Sequence, residues 1–210
     1  MKKISLLGGP PLPLADIPRV MRGASWGPDA GIVYVDNTTH VIQRTSVEGD
    51  TPQALTVIDS EKGHFSHSYP QILPGGDALL FVALDGSCGN PSIIVQSLRT
   101  GEQRILIEGG TAPHYLTTGH IVFAKASTLL AAPFDLERLE LTGPSIPLVE
   151  DVLMGGCKEA YYYPSENGSL AYVAGGELES EYNVLVWVDR RGNEDLITIS
   201  PTNDGSSVVA

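Results

Sequence analysis

Residues 79–82 read Leu79-Leu80-Phe81-Val82, and three other strings share this form: two aliphatic or small residues, an aromatic residue and a small aliphatic residue. They are Ile32-Val33-Tyr34-Val35, Ile121-Val122-Phe123-Ala124 and Leu170-Ala171-Tyr172-Val173. The strings begin 42 to 49 residues apart, and each follows a turn signal that contains glycine. A period of roughly 40–50 residues is typical of the four-stranded blades of a β-propeller.

Around each string the chain has the pattern of an antiparallel meander. In the second unit, Tyr69–Leu73 precedes the turn, the apolar run Ser92–Gln96 follows the string, and Arg104–Ile107 closes the unit. The two middle strands of each unit are nearly continuous apolar runs, as expected for strands buried on both faces. The closing strands carry proline or charge, which protects an exposed sheet edge. The sequence therefore predicts an all-β protein, a β-propeller of about four four-stranded antiparallel blades.

The same signals give the domain organisation, a single propeller domain over residues 1–210. We predict blades at about 22–59, 66–110, 112–152 and 159–201. Residues 1–21 contain a strand that belongs to a preceding or a closing blade, and residues 202–210 resemble the start of another unit. Two connections are also predicted: an extended turn over 134–140, and a loop over 64–67 that enters the second blade.

Composition and charge exclude several classes of function. The formal net charge of −12 repels phosphate backbones, so we expect no nucleic-acid partner. No stretch approaches the roughly 18 apolar residues of a membrane span, so we expect no membrane contact. The apolar run at the start ends at Gly8, which is too short for a secretory signal. Cys88 and Cys157 fall in different units. The sequence is compatible with a disulfide between them and with two free thiols.

Several motifs together resemble the WD-repeat-like and TolB-like β-propeller family, and in particular the propellers that follow the kinase domain of bacterial serine/threonine protein kinases. The resemblance spans roughly residues 8–201 and is carried by the segments Arg22–Asp29, Ser66–Gly76, Ile94–Glu102, Pro133–Asp135 and Leu185–Gly192. It implies a sensor role in a signalling protein, and it allows a cytoplasmic or a periplasmic location. The chain itself has no Gly-x-Gly-x-x-Gly loop and no His-Arg-Asp motif, so kinase activity is not carried over.

The resemblance also bears on ring closure, because propellers of this family commonly have six or more blades. Four units are compatible with a fragment, an open array, a compact four-bladed ring or half of a ring completed by a second copy. Exposed blade edges would favour such a homodimer, since unpaired strand edges seek partners.

Catalytic and metal-binding motifs are not apparent in the sequence. A Gly-x-Ser-x-Gly nucleophile elbow does not occur, and Glu159 is the one acid near the segments expected to face the central channel. His64 and His67 have a spacing that could place two imidazoles together, but no cysteine or glutamate accompanies them at ligand spacing. We therefore expect no catalytic residues, no metal and no cofactor.

The candidate site is the inner face of the first strands, where aromatic and polar residues recur. These residues are Trp26, Tyr69, Gln71, His114, Tyr115, Tyr161 and Tyr163. One interpretation is that they pack between blades at the narrow end of the channel. The other is that they hold a ligand over the channel mouth. The sequence thus favours a non-catalytic recognition scaffold for a protein or peptide, with a hydrolase-type enzyme whose site lies in the funnel as the alternative.

Overall fold

The computed structural model describes residues 1–15, 23–28, 31–36, 38–86, 90–155, 158–165, 168–175, 185–189 and 191–197. Both cysteines and the segment 202–210 lie outside these ranges.

The chain is an all-β protein whose four antiparallel sheets are arranged as a four-bladed β-propeller. Blade 1 consists of β3 (Ala24–Trp26), β4 (Gly31–Asp36), β5 (Val41–Ser46) and β6 (Gln53–Ala54). Blade 2 consists of β7 (His64–Ile72), β8 (Ala78–Asp85), β9 (Ser92–Ser97) and β10 (Gln103–Glu108). Blade 3 consists of β11 (Thr111–Leu116), β12 (His120–Lys125), β13 (Thr128–Asp135), β14 (Glu140–Leu141) and β15 (Ile146–Val149). Blade 4 consists of β16 (Tyr162–Pro164), β17 (Leu170–Val173), β18 (Leu185–Val188) and β19 (Glu194–Ile197).

The blades pack face to face through three apolar layers. In β8, Leu80 and Val82 lie in the layer shared with Phe123 of blade 3. Their neighbours Leu79 and Phe81 point to the opposite face, into the layer shared with blade 1. The third layer joins blade 3 to Tyr162 and Tyr172 of blade 4. The prediction that the middle strands are buried on both faces is confirmed for β8, in which seven of eight residues are buried, whereas β5 buries two of its six residues.

The outer part of blade 3 differs from the sequence prediction. The predicted extended turn over 134–140 is present between two strands but is confined to residues 136–139, because β13 continues to Asp135 and pairs with β14. The turn is shorter because the Asp135 carboxylate accepts hydrogen bonds from the backbone N–H groups of Glu137 and Arg138, each at 2.9 Å. A carboxylate that binds its own backbone two and three residues ahead stabilises a tight turn.

The entry to blade 2 also differs. Residues 64–67, predicted as a loop, form the beginning of β7, which follows a short 3-10 helix over Ser60–Lys62. The His67 side chain is buried, and its Nδ1 lies 2.8 Å from the Thr56 hydroxyl. The same hydroxyl accepts the Ile42 N–H of blade 1 at 2.9 Å. His67 therefore joins blade 2 to the outer strands of blade 1.

The N-terminal segment forms a hairpin. Strands β1 (Lys2–Lys3) and β2 (Leu12–Pro13) pair with each other in a two-stranded sheet that is separate from the blades. The Met1 ammonium donates to the Ala15 carbonyl at 2.5 Å, which ties the two ends of this hairpin together. The interpretation of 1–21 as a strand of a preceding or closing blade stays a prediction.

Candidate functional site

A cavity lies where the first strands of all four blades end. Its volume is about 370 Å³, at the small end of the roughly 300–1,000 Å³ that is usual for ligand pockets. It is lined by the last residues of β3, β7, β11 and β16 and by the turns that follow them. The lining residues are Ser25, Trp26, Gly27, Pro28, Gln71, Ile72, Pro74, His114, Tyr115, Leu116, Thr117, Tyr163 and Pro164.

Five of the seven residues proposed from sequence line this cavity. They are Trp26, Gln71, His114, Tyr115 and Tyr163. The other two lie elsewhere: Tyr69 packs against the apolar layers on both sides of blade 3, and Tyr161 is exposed outside the lining.

Two β-bulges explain which side chains reach the cavity. The register of β7 with β8 shifts between Ser68 and Gln71, and the register of β11 with β12 shifts between Thr111 and His114. Within these bulges Tyr69 has φ 52° and Ala112 has φ 48°, and each is followed by a proline. A non-glycine residue with positive φ carries backbone strain. Because a bulge adds a residue to one strand, it re-aims the side chains beyond it.

Gln71 fixes the neighbouring inner strand. Its Oε1 accepts the Tyr115 N–H at 2.7 Å, and its Nε2 donates to the Tyr115 carbonyl at 3.3 Å. One carboxamide thus satisfies both backbone groups of a residue in the next blade. These two hydrogen bonds fix the position of β11 relative to β7, and with it the two sides of the cavity that blades 2 and 3 form.

His114 sits between two tyrosines of blade 4. Its ring lies 5.4 Å from the ring of Tyr162 and 5.1 Å from that of Tyr163, both in edge-to-face geometry. Burial lowers the pKa of His114 from 6.5 to about 4, because the charged imidazolium loses its hydration. The imidazole is therefore neutral at pH 7.

The described lining has no Asp, Glu, Lys or Arg side chain. Its mouth carries two large aromatic side chains with high exposure, Trp26 at 61% and Tyr163 at 68%. Aromatic rings with one apolar face and one polar tip are enriched where proteins bind partners. The arrangement can therefore hold an uncharged group by ring contact and by hydrogen bonds.

Three proline residues of the lining, Pro28, Pro74 and Pro164, were not among the candidates from sequence. The signal that could have found them is their recurrence: each stands at or just after the end of a first strand. A proline ring at such a position presents an apolar surface.

A larger cavity, of about 580 Å³, lies beside blade 1. Its polar groups pair with each other: Gln43 donates to the Asp36 carboxylate at 2.8 Å, and the Thr38 N–H and Thr39 hydroxyl donate to the same carboxylate. Among the described residues, those that line it come from blade 1 and the N-terminal segment, in contrast to the cavity to which all four blades contribute.

Within the described ranges, no three His, Cys, Asp or Glu side chains come together as a possible metal site. The same part of the chain contains no helix with the length and apolarity needed to traverse a lipid bilayer.

Comparisons with known proteins support the propeller class. No family model and no curated protein matches the chain. Among solved structures, a chain of the nidogen/laminin complex matches with a TM-score of 0.62 and 17% identity, over 93% of this chain and 70% of that chain. Puromycin hydrolase matches with a TM-score of 0.61 and 14% identity, over 91% of this chain and 33% of that chain. Virginiamycin B lyase from Staphylococcus aureus matches with a TM-score of 0.56 and 13% identity, over 97% of this chain and 64% of that chain.

The chain therefore spans a third to about two thirds of the length of these proteins. Together with the four sheets, the matches identify it as a β-propeller protein. At such identities the likeness concerns the fold alone, because propellers carry both binding and catalytic sites.

Proposed function

We propose that this chain is a non-catalytic recognition scaffold that binds a segment of a protein or peptide at the cavity on the propeller axis. The observation that carries the proposal is that all four blades contribute to one cavity with two exposed aromatic rings and no charged side chain in the described lining. A site assembled from every repeat, with rings already facing solvent, is suited to a ligand that arrives from outside.

The lining chemistry favours binding over the hydrolase alternative. Hydrolysis by paired carboxylates or by a nucleophile–histidine pair needs such groups to converge within hydrogen-bond reach. His114 is the one titratable side chain other than tyrosine in the described lining, and its ring contacts two tyrosine rings. Enzymes occur among the structural neighbours, so a hydrolase is kept as the second candidate.

We further propose membership of the WD-repeat-like and TolB-like propellers, with a sensor role in a bacterial signalling protein. The support is the set of repeated motifs in the sequence. The genomic reading frame tests the signalling role. A kinase or other signalling domain joined to this chain is expected, and fusion to an unrelated biosynthetic enzyme would contradict the proposal.

Selection from a displayed library of random peptides tests the recognition proposal. Wild-type protein serves as bait, and the double variant Trp26→Ala/Tyr163→Ala serves for counter-selection. Both side chains are largely exposed, so circular dichroism should show an unchanged fold. The matched control is Trp187→Ala, since Trp187 is 48% exposed and lies outside the lining.

The proposal predicts peptides that bind wild type and the Trp187 variant and lose at least about tenfold in affinity, or about 1.4 kcal/mol, on the double variant. If every enriched peptide binds the double variant equally well, the cavity is not the recognition site. If hydrolysis of ester or glycoside reporters is instead abolished by His114→Phe, the enzyme alternative replaces the proposal.

A further inference from the structure

We infer that the segment held at the axial cavity is an uncharged, proline-containing stretch in the polyproline II conformation. This inference rests on the proposed function and adds the chemical class of the ligand. Its starting point is the composition of the wall, which combines the aromatic residues Trp26, Tyr115 and Tyr163 with Pro28, Pro74 and Pro164. Aromatic-lined grooves are the usual receptors for polyproline II segments, whose rings stack on the flat side chains.

Charge narrows the class of ligand further. The described lining contains no ionised side chain, and the His114 ring is neutral at pH 7. A phosphate or a carboxylate would lose its hydration in such a cavity without an ionic partner. The described lining also has no acidic side chain that would pair with a basic group, so a neutral segment fits this wall, although the chain as a whole is strongly acidic.

A proline segment and a saccharide differ in the hydrogen-bond donors and acceptors that they need from the cavity wall. A proline residue has no backbone N–H, so a proline segment presents only carbonyl oxygens that need donors. The wall offers donors of this kind in the indole N–H of Trp26 and the hydroxyls of Ser25, Thr117 and Tyr163.

A saccharide would instead bury several hydroxyls, each of which needs both an acceptor and a donor, and the side chains of the described wall that can supply both include the hydroxyls of Ser25, Thr117 and Tyr163 and the Gln71 carboxamide. The one carboxamide of the described lining, Gln71, already uses its oxygen and its nitrogen on the backbone of Tyr115. The wall therefore matches the needs of a proline segment better than those of a sugar.

The size of the cavity agrees with a short segment. A polyproline II helix has 3 residues per turn and rises about 3.1 Å per residue, so one turn is about 9 Å long. A cavity of about 370 Å³ is suited to one such turn rather than to a folded domain. Because the polyproline II segment is already extended and stiff before binding, little conformational entropy is lost.

Titration calorimetry with acetylated, amidated hexaproline tests the inference, with a glycine–serine hexapeptide as the flexible control. In a Trp187→Phe background, Trp26 is the remaining tryptophan, so its fluorescence reports contact at the cavity directly. We expect hexaproline to bind at least about tenfold more tightly than the control and to lose that advantage in Trp26→Ala and Tyr163→Ala. Added salt should change the affinity less than about twofold, because no charge lines the described wall.

The outcomes separate this inference from the proposed function. If library peptides depend on Trp26 and Tyr163 but contain no enriched proline, the ligand class is wrong while recognition at the cavity stands. If no peptide depends on these residues, both fail. If cellohexaose or maltohexaose binds and hexaproline does not, and Trp26→Ala abolishes the saccharide binding, the site is a carbohydrate site and the inference is overturned.

Discussion

The hydroxyl of Tyr162 donates a hydrogen bond to the carbonyl of Ala112, fifty residues earlier in the chain. It also lies 3.1 Å from the carbonyl of Val122, so a single buried phenol joins blade 4 to two strands of blade 3. Ala112 is the residue with positive φ in the bulge that precedes His114. Burial raises the pKa of Tyr162, which keeps the phenol protonated as a donor. Tyr162 therefore holds the strained turn that positions His114 at the cavity.

Replacement of Tyr162 by phenylalanine should lower the free energy of unfolding by about 1–3 kcal/mol, because two buried carbonyls lose their donor. The midpoint of urea denaturation measures this effect. The control is Tyr163→Phe at the neighbouring, exposed position, which should change stability by less than about 0.5 kcal/mol. Equal effects of the two substitutions would show that the Tyr162 hydroxyl makes no net contribution.

Gly23 should not tolerate a side chain, because it combines a positive φ with close contact to blade 2. Its φ is +111°, and an added Cβ would lie 3.0 Å from Cδ of Pro70 and 3.1 Å from Cα of Tyr69. We expect Gly23→Ala to destabilise the protein by about 2–4 kcal/mol, from conformational strain and steric overlap together.

The matched control for Gly23→Ala is Gly75→Ala. Gly75 has φ +91° and no atom within 4 Å of its added Cβ, so this substitution carries the conformational cost alone. Thermal denaturation of both variants therefore isolates the contact between blades 1 and 2. If both variants unfold at the same temperature, the approach of Gly23 to Pro70 is not a tight contact.

The propeller fold was predictable because two physical signals recur in every unit. An apolar run such as Leu79–Val82 puts apolar side chains on both faces of its strand, so the strand must lie in a sheet that is covered on both sides. The distance between repeats is long enough for one sheet of four strands. The turn between the strands of blade 3 was predicted, but its limits at 136–139 were not, because hydrogen bonds from Glu137 and Arg138 to the Asp135 side chain set them and the apolar pattern does not report these bonds.

The location of the candidate site could be predicted from the sequence, but not which of the predicted residues line the cavity. Strict alternation along a strand places Tyr69 and Gln71 on one face, and Tyr161 and Tyr163 on one face. The bulge in β7 separates the first pair. At Tyr161 the Tyr162 N–H bonds to the Ala160 carbonyl, a three-residue turn that breaks the second pair. The positive φ of Tyr69 leaves no glycine signal in the sequence, so the first interruption could not be predicted. The turn at Tyr161 likewise has no glycine or proline at its centre to mark it.

The Gln71 carboxamide should stabilise the contact between the inner strands of blades 2 and 3. In Gln71→Met, the Tyr115 N–H and carbonyl lose their partners while the side-chain volume is nearly kept, so we expect a loss of about 1–2 kcal/mol in the free energy of unfolding. Gln103→Met is the control, because Gln103 bonds to Gln96 within a single blade at its outer edge.

The Gln103 control should cost less than about 0.5 kcal/mol, since that side chain is exposed. Amide hydrogen exchange gives a local readout: faster exchange at Tyr115 is expected in Gln71→Met and not in Gln103→Met. Unchanged exchange at Tyr115 would mean that the Gln71 carboxamide does not protect this amide.

Stability should fall in mild acid because His67, which is buried, and His114, which is half-buried, are held in the neutral form. Burial lowers the pKa of each from 6.5 to about 4, and in His67 the charge of His64 acts in the same direction. Between these values the unfolded chain binds more protons than the folded chain, so the free energy of unfolding decreases as the pH falls from about 6.5 towards 4. Each histidine contributes up to about 3 kcal/mol of this loss if the full shift is realised.

A variant that lacks both imidazoles shows how much of the pH dependence of stability comes from His67 and His114. In His67→Asn an amide takes the place of Nδ1 beside Thr56, and in His114→Phe a ring still packs between Tyr162 and Tyr163. Urea midpoints between about pH 7 and pH 4.5 should fall less steeply in this double variant, since two proton-uptake steps of unfolding are removed. The control His120→Asn changes a surface ring that bonds to Thr118 and should leave the wild-type slope in place. Parallel curves for the double variant and wild type would assign the acid sensitivity to the carboxylates instead.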